Sequence, residues 1–174
     1  MPRSTKATTI FAAMSRISET QRRKQLIACA EAVARLADHR EIVPTLAALV
    51  EHDLEIRPVL ETVVRRWSRL TPLQYTTVGA TRGLHRKKVH VDHVVPCRVL
   101  VDRMIINPRE CRALLETAVL LARVTAAEHQ RLGGIYTHHE RLYGRMLRAP
   151  VERLAALGRE RYRASGIVLR RLTP

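Results

Sequence analysis

Residues 89–96 read Val89-His90-Val91-Asp92-His93-Val94-Val95-Pro96. The run is rich in β-branched residues and is bounded by turn and breaker residues, so it predicts a strand over residues 89–95. On a regular strand Asp92 and His93 point to opposite faces. They can serve one site only where the strand bends or ends, and Pro96 is consistent with that. Just upstream, residues 82–88 read Arg-Gly-Leu-His-Arg-Lys-Lys, four cations and no acid. Arg82, Arg86, Lys87, Lys88 and His90 are candidates for phosphate contact, as is His85. A solvated loop is the plain alternative.

Working downstream, residues 98–106 fit a strand or a helix. Asn107-Pro108 reads as a cap and first residue of a helix through about Glu116. Residues 117–124 predict a second short strand. Thr125-Ala126-Ala127-Glu128 fits a capping box that opens a helix through about Leu132, stopped by Gly133-Gly134, with His129 near its start. Residues 139–165 predict two short helices broken near Pro150. Residues 140–174 hold nine Arg and three Glu, a further basic surface.

Upstream, Leu26, Ile27, Ala30, Val33, Ala34 and Ala37 share one face of a helix over residues 18–37, with Ser18 and Gln21 as its capping box. A second helix is expected near Pro44. A third is expected near Pro58, carrying Leu60, Val63, Val64 and Trp67 and ending in Arg65, Arg66 and Arg69, which suit phosphate or solvent equally. The chain thus divides into a flexible start (1–17), a helical region (18–71), a core with a helical insert (72–137) and a basic helical tail (138–174). The fold class is mainly α (α+β): helical N- and C-terminal parts around a small two-stranded β element followed by a helix.

With 174 residues, 46% of them hydrophobic, the chain can bury the core of one domain, and wholesale disorder is excluded. At 3% aromatic residues that core must be aliphatic. A formal charge of +15 attracts polyanions and favours phosphate through counterion release, which points to nucleic acid. No apolar run approaches the roughly 20 residues of a membrane span, and no signal-peptide pattern is present, so a cytoplasmic protein without a membrane partner is expected. Cys29, Cys97 and Cys111 form no C-x-x-C pair and are expected reduced and packed.

The order strand, helical insert, strand, helix resembles the HNH, or ββα-metal, nuclease family over roughly residues 85–134. Val91-Asp92-His93-Val94-Val95-Pro96 is similar to the family's first motif, and the HNH domain of CRISPR effector nucleases has a closely similar run. Asn107 stands where the middle Asn could fall. Val119-Leu120-Leu121 through Glu128-His129 resembles the closing strand and helix. The resemblance implies a metal-dependent endonuclease acting on phosphodiesters, DNA favoured over RNA. Asp92 and His129 would hold a divalent ion, Mg²⁺ or Mn²⁺ ahead of Zn²⁺. His93 would be the general base and Asn107 would orient it. The chemistry suits the residue types: a cation offsets charge on the phosphate and the leaving oxygen, and a neutral imidazole takes a proton from water.

The chain departs from the family in the wide spacing from His93 to His129, the absence of a four-Cys knuckle, and Thr125 at a position where some relatives carry another His. Each residue also has a plainer reading. Asp92 and His93 suit a hydrogen-bonded pair at a strand end, His129 a surface position, and Asn107 a helix cap. His138-His139-Glu140 is a second, lower-ranked polar cluster. The rival functions are a non-catalytic basic DNA- or RNA-binding protein and a basic subunit of a larger nucleoprotein assembly; a homo-oligomer is left open. Convergence of Asp92, His93 and His129 would favour the enzyme.

Overall fold

The predicted strand forms: residues 89–93 pair with residues 121–125 in a hairpin-like antiparallel ladder, at the edge of a sheet that has more strands than expected. The computed structural model describes residues 18–38, 56–81, 89–134 and 136–172. The expected flexible start, the helix near Pro44 and the run 82–88 lie outside them.

Among the described residues the order is α1 (Glu19–Asp38), α2 (Ile56–Arg69), β1 (Tyr75–Thr77), α3 (Val78–Thr81), β2 (Val89–His93), α4 (Cys97–Ile106), a 3₁₀ turn (Pro108–Glu110), α5 (Cys111–Ala113) running into a π turn (Leu114–Ala118), β3 (Leu121–Thr125), α6 (Ala126–Gly134), α7 (Tyr136–Arg148), α8 (Val151–Ala164) and β4 (Leu169–Arg171). The protein is therefore mainly helical with a small sheet. Among the described residues no helix is long and apolar enough to cross a membrane.

The sheet order is β2-β3-β1-β4, with β1 parallel to β3 and antiparallel to β4. The expectation of two strands is corrected to four among the described residues. β1 and β4 are three residues each, too short to show alternation in the sequence. Residues 98–106 resolve as helix. The second strand starts at Leu121 rather than near residue 117, because Leu114, Leu115 and Ala118 close a π turn into the core. The exposed Glu116 and Thr117 interrupt these buried apolar residues, and the segment is too short for periodicity to separate turn from strand.

Two apolar clusters hold the elements. The larger joins Leu26 and Ala30 of α1, Leu60, Val63 and Val64 of α2, Leu100 and Met104 of α4, Leu114 and Leu115, and Leu154 of α8. It is mostly aliphatic, as the composition requires; Trp67 is its one buried aromatic residue among those described, with Tyr143 packed against it. α1 begins where expected, with the Gln21 N–H donating to Ser18 Oγ at 3.3 Å.

The smaller cluster sits between the sheet, α6 and α8: Val94, Ala122, Val124, Leu132, Tyr162 and Ile167. The register pairs Asp92 with Ala122 and His90 with Val124, so these side chains share the face covered by α6 and α8. Val91 with Arg123, and His93 with Leu121, take the other face. α8 ends in a Schellman turn: Ile167 N–H donates to the Tyr162 carbonyl at 2.9 Å and Gly166 N–H to Arg163 at 3.0 Å, with Gly166 at φ 66°. That turn sends the chain back as β4.

Candidate functional site

The capping box fixes where α6 starts, and so where His129 stands. Glu128 N–H donates to Thr125 Oγ1 at 3.2 Å, while Glu128 Oε2 accepts from Thr125 N–H at 2.8 Å. The same oxygen accepts from Thr77 Oγ1 at 2.6 Å, which ties β1 to the helix start. Glu128 is 8% exposed, and a Cβ on Gly79 would lie 2.9 Å from its Oε1, so glycine there leaves room for the buried carboxylate. Glu128 is thus a structural residue, and its neighbour His129 is delivered over β2.

His129 Nδ1 lies 3.5 Å from Asp92 Oδ1. The second Asp92 oxygen is occupied: Arg161 Nη2 and the Tyr162 hydroxyl both donate to Oδ2. Arg161 Nη2 also donates to the His93 carbonyl at 2.6 Å. Burial, reinforced by the Asp92 charge, pushes the Tyr162 phenol well above its ordinary range, so it stays a donor. One carboxylate oxygen is therefore locked by two donors and the other is left towards His129. The His90 ring stacks on that of His129, centroids 5.4 Å apart and planes within 10°. His90 is exposed beside the pair.

This geometry suits two ligands of one divalent ion. Two adjacent bonds of about 2.1 Å in the octahedral shell of Mg²⁺ or Mn²⁺ separate their donor atoms by about 3.0 Å, so the pair would close by roughly half an ångström around such an ion. A carboxylate oriented by outer hydrogen bonds is the arrangement that metal ligands require. Among the described residues no group of three or more His, Cys, Asp or Glu side chains converges, so the pair would leave most coordination positions to water and substrate.

His93 goes elsewhere. Its Nε2 meets Ser68 Oγ of α2 at 2.7 Å, on the face of β2 away from His129. Burial lowers its pKa; the Asp92 charge opposes this, while Arg161 and Arg65 add to it, so the ring is neutral at neutral pH. Asn107 is not brought to His93. It lies at the far end of α4, whose 10 residues span about 15 Å. Its backbone N–H donates to the Arg103 carbonyl at 2.8 Å and its side chain makes no cap bond, so both the orienting role and the side-chain cap are corrected. A 3₁₀ turn with Pro108 at its first position replaces the expected helix start.

Of the expected phosphate contacts, Arg82, Arg86, Lys87 and Lys88 lie outside the described residues; His90 lies on the Asp92 face. The side chains of His138 and His139 also lie outside. Sequence reasoning missed Arg161, Tyr162 and Ser68. Arg161 was read only as part of a basic tail, yet it is 8% exposed. Arg145 is likewise paired, with Glu160 at 2.6 Å. The exposed cations Arg65 and Arg69 of α2, and Arg123 and Arg170 of the sheet, remain on the surface. The cysteines form no disulfide and are packed, and burial raises the Cys97 thiol to about 11. Comparison with protein-family models, curated proteins and solved structures finds no match to this chain.

Proposed function

We propose that the chain is a divalent-metal-dependent nuclease of the HNH kind, DNA favoured over RNA. The observation that carries this reading is the approach of Asp92 and His129 to 3.5 Å across an antiparallel strand pair and its following helix. Asp92 and His129 would hold the ion, with Arg161 and Tyr162 orienting the carboxylate. When bound, a divalent ion supplies charge neutralisation on the scissile phosphate and the leaving oxygen. His93, neutral and half-buried, would take the proton of the attacking water.

The opposed directions of Asp92 and His93 are compatible with one reaction. In-line displacement at phosphorus puts the entering and leaving oxygens on opposite sides. β2 is an edge strand among the described residues, and it ends at His93. A phosphate across that end could be flanked from both faces. The charge of +15 supplies the attraction for the polyanion.

Two observations favour a second reading, a non-catalytic basic nucleic-acid-binding protein or subunit: Asp92 already has a cationic partner in Arg161, and His93 turns to Ser68 rather than converging with Asp92 and His129. Incubating the chain with plasmid and with RNA, in Mg²⁺ or Mn²⁺, with and without chelator, separates the two. Cleavage that needs the metal and disappears in Asp92→Ala and His129→Ala supports the nuclease. Binding without cleavage under any divalent ion rejects it.

A further inference from the structure

The proposed base lacks the asparagine expected to orient it, but it has another partner. Ser68 Oγ donates to the Val64 carbonyl at 2.7 Å, a bond to the residue one turn earlier in α2. A carbonyl cannot donate, so the one hydroxyl proton of Ser68 is committed to it. The 2.7 Å contact between Ser68 Oγ and His93 Nε2 then needs its proton from the ring. In its uncharged form an imidazole has a single N–H. If that proton is on Nε2, the lone pair able to accept a proton is on Nδ1.

We propose that Ser68 is the positioning residue that holds His93 as its Nε2–H tautomer and leaves Nδ1 as the proton-accepting nitrogen of the nuclease site. The assignment rests on the nuclease reading for its catalytic meaning and on the Val64–Ser68–His93 hydrogen-bond chain for its geometry. It also explains how a base can be oriented from a helix far upstream: Ser68 is 25 positions before His93 and reaches it from α2 on the face of β2 away from His129. Anchoring one imidazole nitrogen defines the direction of the other, as it does for metal-bound histidines.

The test uses the full chain labelled with ¹⁵N. Two-bond correlations from the ring protons report which His93 nitrogen carries hydrogen. The expected spectrum has a protonated Nε2 and an unprotonated Nδ1 in the parent, a mixture of tautomers in Ser68→Ala, and the parent pattern again in Ser68→Thr, whose hydroxyl can make the same bond to the preceding turn. Plasmid cleavage in Mn²⁺ should fall about 10-fold in kcat for Ser68→Ala with KM unchanged, and recover in Ser68→Thr. A protonated Nδ1 in the parent, an unchanged ring spectrum in Ser68→Ala, or full cleavage by Ser68→Ala would each overturn the assignment. A parent chain that never cleaves would sink the nuclease reading, and with it the catalytic meaning of Ser68, while the ring spectrum still decides the tautomer.

Discussion

Asp92 shows how a single carboxylate can be both an anchor and a candidate ligand. Its side chain is 12% exposed and that of Arg161 10%, so each charge depends on the other for solvation lost on folding. Removing one partner of such a pair strands the other, at about 3 kcal/mol or more. Arg161→Met is therefore expected to lower stability by about that amount in urea unfolding, and adding Asp92→Asn should recover part of it. A fully additive double variant would show that the pair is not coupled. His93 makes a pH prediction. Its folded pKa is lowered below the ordinary 6.5 by burial, so the unfolded chain binds the proton more readily. The stability linked to His93 is fully present above pH 6.5 and is lost as pH falls through 6.5 towards the folded value. Unfolding free energies compared at about pH 7.5 and about pH 5.5 should show this loss in the parent and a smaller one in His93→Gln. Equal losses would assign the pH dependence to other groups.

At the scale of elements, α8 matters most, because it carries Arg161 and Tyr162 and ends in the turn that makes β4. Its approach to β2 is close: a Cβ on Gly158 would fall 2.7 Å from the Val94 carbonyl, which is backbone and cannot swing aside. Gly158→Ala should force the helix off the strand end, cost about 1–3 kcal/mol and weaken Mn²⁺ binding by moving both donors away from Asp92. Gly144 of α7 is the control. A Cβ there meets only the end of Arg148 at 3.5 Å, so Gly144→Ala should be neutral or stabilise by up to about 1 kcal/mol. Thermal melts and Mn²⁺ calorimetry on the two variants check this; matching effects at both positions would refute the packing argument. The elements that the sequence made legible are those with local signals. The Thr125–Glu128 box and the Ser18 cap mark helix starts within a few residues, and both form. β1 and β4 had no such signal, since each is completed by a partner strand far away in sequence.

For the whole molecule, the charge of +15 dominates encounter with any polyanion. Affinity for duplex or single-stranded nucleic acid should fall steeply with salt, since counterion release supplies the free energy. Titrations across several salt concentrations, repeated with Arg86, Lys87 and Lys88 all changed to Ala, should give a shallower slope for the variant. A flat response in the parent would count against every nucleic-acid function. Net charge is legible from composition, but its distribution is not. Several arginines that add to the total are turned inward or paired: Arg103 with Glu110, Arg161 with Asp92, Arg145 with Glu160.

The sequence by itself determined the aliphatic core, the strand bearing Asp92 and His93, and the capped helix bearing His129. Each rests on composition or on neighbours within one or two turns. Only the tertiary structure decided what those residues meet. Arg161 and Tyr162 reach Asp92 from 69 and 70 positions away, and Ser68 reaches His93 from another helix. Asn107, read as a partner of His93, is carried away from it by α4. Pairings of that span depend on how the layers stack, and no local pattern of residue types records the stacking.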